Sequence, residues 1–122
     1  MNQSSNLKPV YDLEERTFLF AKSVRMFVKS IPKTSSSFDD IKQPVRSSGS
    51  VGANYREANE AFSKKEFLLR IKISRKEAKE SSYWLRLIIE TTDLPDRVIA
   101  LKLLQESSEL TKMFSAIAEK SK

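Results

Sequence analysis

Three glutamates stand where carboxylate chemistry could be built. Glu57 lies three residues after Asn54 on one predicted helix, and Glu77 and Glu80 share a helix face with Trp84 on the next. Carboxylates grouped in this way can hold a hard cation or move a proton. The rest of the chain argues against both. It contains no histidine and no cysteine, which removes imidazole bases, thiolate nucleophiles and the nitrogen and sulfur ligands of zinc, copper and haem sites. A di-metal site in a helical bundle draws on Glu-x-x-His pairs, so carboxylates would have to supply every ligand here. The expectation is a chain with no enzymatic activity, no metal and no cofactor. Glu57, Glu77 and Glu80 would instead meet Arg46, Arg56 or Arg70 in buried or interfacial pairs that fix helix register.

A second set of side chains is basic. Lys72, Arg75, Lys79 and Arg86 fall within about 60° of arc on one predicted helix and extend along about 21 Å of it, flanked by Lys65, Lys76 and the ring of Tyr83. Residues 64 to 86 hold eight basic and three acidic side chains, while the segments 37 to 63 and 87 to 122 each sum to −1. The whole chain carries a formal charge of +6, and most of that excess is in this one stretch. Such a row can track the phosphates of structured RNA or another polyanion. It is also what a solvated helix face looks like.

The elements that must position these groups are helices. A chain of 122 residues with two glycines and four prolines is short of the residues an all-β fold uses at its corners. Asp12 with Glu15, and Ser63 with Glu66, have capping-box spacing at helix starts. The first helix carries Leu13, Thr17, Phe20, Val24, Phe27 and Ile31 on one line and stops before Pro32. Ser37 is a candidate cap after the loop Thr34 to Ser37. A second helix would turn Ile41, Val45, Ser48, Gly52, Tyr55 and Asn59 inward, with Pro44 predicting a kink. The small side chains from Ser47 to Ala53 would let another backbone approach closely. The third helix spans Lys64 to Thr91, with Phe67, Ile71, Ser74, Ala78, Leu85 and Ile89 as its core line. Asp93 is a candidate cap for the fourth, which places Pro95 in its first turn and runs to about Glu119 with Ile99, Leu103, Leu110, Phe114 and Ile117 inward. Short connections between four helices predict an all-α, antiparallel, up-down-up-down four-helix bundle. Residues 12–119 form its single domain, and residues 1–11 form a loose N-terminal segment.

Several helices are apolar on more than one side. Leu19 and Met26 lie opposite the core line of the first helix; Leu69, Ile73, Trp84 and Leu87 form a second line on the third; Leu94, Val98, Leu101 and Leu104 face away from the core on the fourth. One stripe per helix is enough for a bundle, so a second stripe implies cover from another copy. The expected partner is the chain itself, in a homo-oligomer whose interface includes Leu19, Met26, Ile73, Trp84 and Leu101, with Trp84 as an anchor. No apolar run at the N-terminus or elsewhere reaches the roughly 20 residues of a membrane span, and cysteine is lacking. A cytoplasmic protein with no membrane partner and no small-molecule substrate is the expectation.

The stretch "RSSGSVGANYREANEAFSKKEFLLRIKISRKEAKESSYWLRLI", Arg46 to Ile88, resembles the 23S rRNA intervening-sequence proteins. "SVGANYREA" at Ser50 to Ala58, "SKKEF" at Ser63 to Phe67 and "EAKESSYWLRL" at Glu77 to Leu87 carry the likeness. Asn54, Glu57, Glu80, Trp84 and Leu85 fall in that family's order and spacing, and Pro44 departs from it at a site usually filled by an ordinary helix former. The resemblance implies a closed four-helix bundle that assembles into a five-fold ring, with no enzymatic activity attached. It also implies a similarity to the accessory proteins of diversity-generating retroelements, which bind a reverse transcriptase and nucleic acid.

Overall fold

A computed structural model describes residues 12–33 and 38–122. The expected loose segment 1–11, Tyr11 within it, the loop 34–37 and the Ser37 cap lie outside the described residues. Four helices follow one another: α1 Leu13–Ser30, α2 Phe38–Asn59, α3 Lys64–Thr91 and α4 Arg97–Lys120.

Local chemistry sets three of the helix starts. The Asp12 carboxylate accepts from the Glu15 amide at 3.1 Å. At α3, Ser63 Oγ accepts from the Glu66 amide at 3.0 Å as in a capping box, but the Glu66 carboxylate accepts from the amide of Phe62, one residue before the cap, at 3.3 Å. Helix α4 begins later than the Asp93 cap predicts. Pro95 stays in the connection, and Asp96 Oδ1 takes the amides of Val98 at 2.9 Å and Ile99 at 3.3 Å. Arg97 then donates to the Ile89 carbonyl at 3.1 Å, which ties the start of α4 to the last turns of α3. Helix α2 runs unbroken through Pro44, which is buried.

Cross-helix bonds show the antiparallel order. Arg70 reaches Asn54 and Ser81 reaches Ser47, so α2 and α3 run in opposite directions. Asn59 at the end of α2 donates to Glu14 at the start of α1, and Lys64 at the start of α3 donates to the Lys122 carbonyl beyond α4. Each helix touches its neighbours in chain order and α1 returns to α4, while the diagonal pairs do not approach. The α1–α4 seam is the least populated. Arg16 holds it: Nε and Nη2 grip both oxygens of Glu106 at 2.7 and 2.8 Å, and Nη2 also reaches Glu109 at 3.0 Å. A forked guanidinium–carboxylate pair of this kind fixes orientation as well as adding energy. The Glu106 bonds are the main reason that the Arg16 guanidinium holds its proton more tightly than a free arginine.

The core contains Phe20, Val24, Phe27, Val51, Ile71, Ala78, Leu85, Ile88, Leu110 and Phe114. The lines predicted for α1 and most of α3 are buried as expected; Phe67 is half-buried against the core. Two lines hold in part and shift to one side. In α2, Ile41, Ser48 and Gly52 are buried as expected, but Val45 and Tyr55 are half-buried and Asn59 is exposed, while Pro44, Ser47, Val51 and Ala58 face inward. In α4, Leu103, Leu110 and Phe114 are buried as expected, but Ile99 is 47% exposed and Ile117 is half-buried, while Ala100, Ser107 and Ala118 are buried. The cause is the same in both cases: serines and alanines let the backbones come close, and the hydroxyls bond to one another. Ser47 and Ser81 meet at 2.7 Å, Ser82 and Ser107 at 2.6 Å, and Ser74 donates to the Val51 carbonyl at 2.9 Å. Buried hydroxyls satisfied in this way avoid the penalty of an unpaired polar group.

Candidate functional site

The inward line of α3 fixes what faces outward. With Ile71, Ser74, Ala78, Leu85 and Ile89 in the core, the opposite arc carries Lys65, Lys72, Lys76, Lys79, Tyr83 and Arg86, all exposed. Arg75 is half-buried, turned toward the end of α4. There Lys122, and more weakly Arg75, hold the Glu119 carboxyl below its usual range. Arg86 is not free: its Nε donates to Glu90 at 2.9 Å, one turn along the same helix. Lys65, Lys72, Lys76 and Lys79 have no carboxylate within ion-pairing distance among the described residues. Tyr83 stands edge-on to Trp84, with ring centroids 5.1 Å apart.

The carboxylates lie round the helix from this row, toward α2. Arg46 bridges Glu77, at 3.2 Å, and Glu80, and Trp84 Nε1 donates to Glu80 at 3.0 Å. The indole donor and then Arg46 hold the Glu80 carboxyl below its usual range, and Glu80 in turn raises the Arg46 pKa. Glu77 is buried and Glu80 half-buried. Asn54 belongs to the same seam: its oxygen accepts from Arg70 at 2.9 Å while its amide donates to Ser50. Glu57 does not join the network. The inward line of α2 passes through Val51 and Ala58, which leaves Glu57 exposed and unpaired among the described residues. Arg56 pairs with Glu14 at 3.5 Å. The described residues contain no group of three or more carboxylates placed to hold a metal ion, and no described helix is long and apolar enough to cross a membrane. What this side of the molecule offers is a row of free cations beside a carboxylate pair already engaged by arginine.

Residues 11–116 match the family model of the 23S rRNA-intervening sequence proteins. The chain belongs to this family. A crystal structure of a protein with unknown function from the S23 ribosomal protein family of Bacteroides thetaiotaomicron superimposes with a TM-score of 0.77 and 32% identity, covering 86% of this chain and 96% of that one. No curated protein matches the chain.

The remaining residues predicted for an interface are divided in this intervening-sequence protein. Leu19, Met26 and Leu101 are exposed, at 46%, 58% and 48%. Ile73 and Trp84 are half-buried within one chain, and the indole N–H already has its acceptor in Glu80. Sequence reasoning missed a groove between α1 and α2. It has a volume of about 530 Å³, with Phe18 and Met26 on one wall and Gly49, Gly52 and Ala53 beneath. Its signal was present in the small residues of α2, which fit close backbone approach. Phe18, directly before Leu19, is the more exposed of the two.

Proposed function

We propose that this 23S rRNA-intervening sequence protein is a non-enzymatic bundle that assembles into a five-fold ring and binds structured RNA through the outer face of α3. The observation that carries the reading is the set of four exposed lysines, Lys65, Lys72, Lys76 and Lys79, none neutralised by a carboxylate among the described residues. They extend over about 21 Å of helix, the length of several phosphate spacings. The family description refers to intervening sequences of 23S rRNA, which makes structured RNA the first polyanion to test. Ring assembly is supported by exposed apolar side chains on two sides: Leu19, Met26 and Ile99 line one depression at the α1–α4 seam, and Leu101 stands on the α3–α4 side. Repetition of one weak basic face around a rigid particle raises its effective concentration and adds avidity.

The test is a fluorescence titration of the protein with a labelled RNA hairpin between about 50 and 200 mM salt. The expected result is log affinity falling linearly with log salt. Absence of binding at the low end rejects the reading.

A further inference from the structure

Two features that the RNA reading leaves unused fit one another. The first is Phe62, in the corner between α2 and α3, which is fully exposed at 100%. It precedes the Ser63 cap, a position from which an apolar side chain ordinarily folds back onto the fourth helical residue as a staple. That residue is Phe67, and Phe62 does not cover it. The corner is nonetheless held: the Phe62 amide is bonded to Glu66 and the Ser63 side chain caps α3. The ring is therefore presented outward on a fixed backbone, beside Glu57 and Glu60, which are exposed and unpaired among the described residues. Of the nearby cations, Lys64 is turned to the Lys122 carbonyl, and Lys65 belongs to the outer face of α3.

The second is the groove between α1 and α2. Its walls are apolar, with Phe18 57% and Met26 58% exposed; its charged lining is Lys22, Arg25 and Lys29, with the Glu14–Arg56 ion pair at one end. None of these three cations meets a carboxylate among the described residues; Arg25 donates only to the Ala21 carbonyl of its own helix. Gly49, Gly52 and Ala53 line its floor; Thr17 packs on Gly52, and the exposed Arg25 guanidinium lies over Gly49, so an entering aromatic ring displaces that flexible side chain.

Resting on the ring reading, we infer that Phe62 of one copy seats in the α1–α2 groove of the next, with Glu57 and Glu60 against Lys22, Arg25 and Lys29. Knob and groove are different surfaces of the same chain, so the contact is head-to-tail, the kind that closes a ring when its rotation permits. An exposed aromatic anchor with complementary charge at its edge is the usual composition of an interface centre and rim.

Both halves can be broken with exposed residues that the fold does not need. Mass by light scattering is measured for the wild type, for Phe62→Glu, for Lys22→Glu/Met26→Glu, and for the two variants mixed. Each variant alone is expected to associate at least about 30-fold more weakly, as loss of a hot-spot aromatic does, with unchanged thermal melting of its helical signal. Mixed, an intact groove meets an intact knob once, and a species of twice the 14.0 kDa chain mass forms. Wild-type mass for Phe62→Glu overturns this interface and leaves the ring standing, with an acidic helix of another protein as the groove's remaining occupant. Monomeric variants that fail to pair on mixing also overturn it. A monomeric wild type removes the ring and the interface together.

Discussion

Thr17 of α1 sits directly over Gly52 of α2: a Cβ added to Gly52 would lie 3.0 Å from Thr17 Oγ1 and 3.3 Å from Thr17 Cβ. Thr17 is fully buried, and its hydroxyl donates to the carbonyls of Leu13 and Glu14, so a β-branched side chain bonded to its own helix blocks the space. Gly49, one turn earlier, faces a different obstacle. A Cβ there would meet Arg25 Nη2 at 3.0 Å, the tip of a long exposed side chain that can swing away.

The two glycines therefore respond to alanine with opposite signs. Replacing a glycine inside a helix gains about 0.8 to 1 kcal/mol from backbone propensity alone. Gly49→Ala keeps that gain and raises the melting temperature by a few degrees. Gly52→Ala loses it to overpacking of about 1 to 3 kcal/mol, since Thr17 can yield only by moving α1, and it melts below the wild type. Thermal denaturation of both variants checks this, and equal shifts of the same sign would refute the close approach at Gly52.

A pH dependence follows from Glu80. Its folded carboxyl titrates below its ordinary value because Trp84 Nε1 and Arg46 bond to the ionised form. The folded state then binds fewer protons than the unfolded chain in the acid range. The stabilisation is complete above the unfolded carboxylate value, near 4.3, and is lost as pH falls through the lower folded value. Glu80→Gln keeps an acceptor for the indole and loses the charge facing Arg46. The wild type should melt above this variant at pH 7, by no more than the equivalent of about 1 kcal/mol because the pair is screened by solvent. The gap should narrow as the pH is taken below about 4.3. Melting curves recorded from neutral to strongly acid pH decide it, and a gap independent of pH excludes Glu80 as the titrating group.

These contacts mark where the sequence was legible and where it was not. The α1 line and the α3 cap could be read because large apolar side chains and capping oxygens act through spacing alone. The inward turn of Ser47 on α2 and Ser107 on α4 could not, because Ser47, Ser81, Ser82 and Ser107 count as polar until each finds the other across a helix interface. Arg46 was expected to meet Glu77 and Glu80, and does. For Glu57 the expected pairing fails for a reason the spacing contains: at about 100° per residue it stands about 200° from Tyr55, on the outer side of α2. The exposed row on α3 was readable by elimination: once the core line is known, the opposite arc faces solvent.

Within that row, pairing separates the cations. Arg86 already has one face on Glu90, while Lys72, Lys76 and Lys79 form no ion pair among the described residues, Lys76 acting on Glu80 only through its charge. A free lysine placed on a phosphate releases a condensed counterion, and each such contact adds about 0.7 to 0.9 to the slope of log affinity against log salt. An arginine held by a carboxylate must first give up that bond. Substituting Lys72, Lys76 and Lys79 together by Gln should reduce the slope measured with an RNA hairpin by about 2 to 3, whereas Arg86→Gln should change it by less than one contact. All four side chains are exposed, so circular dichroism of either variant should match the wild type. If Arg86→Gln lowers the slope as much as the triple substitution, the RNA tracks the end of α3 nearest Glu90 rather than the lysine row.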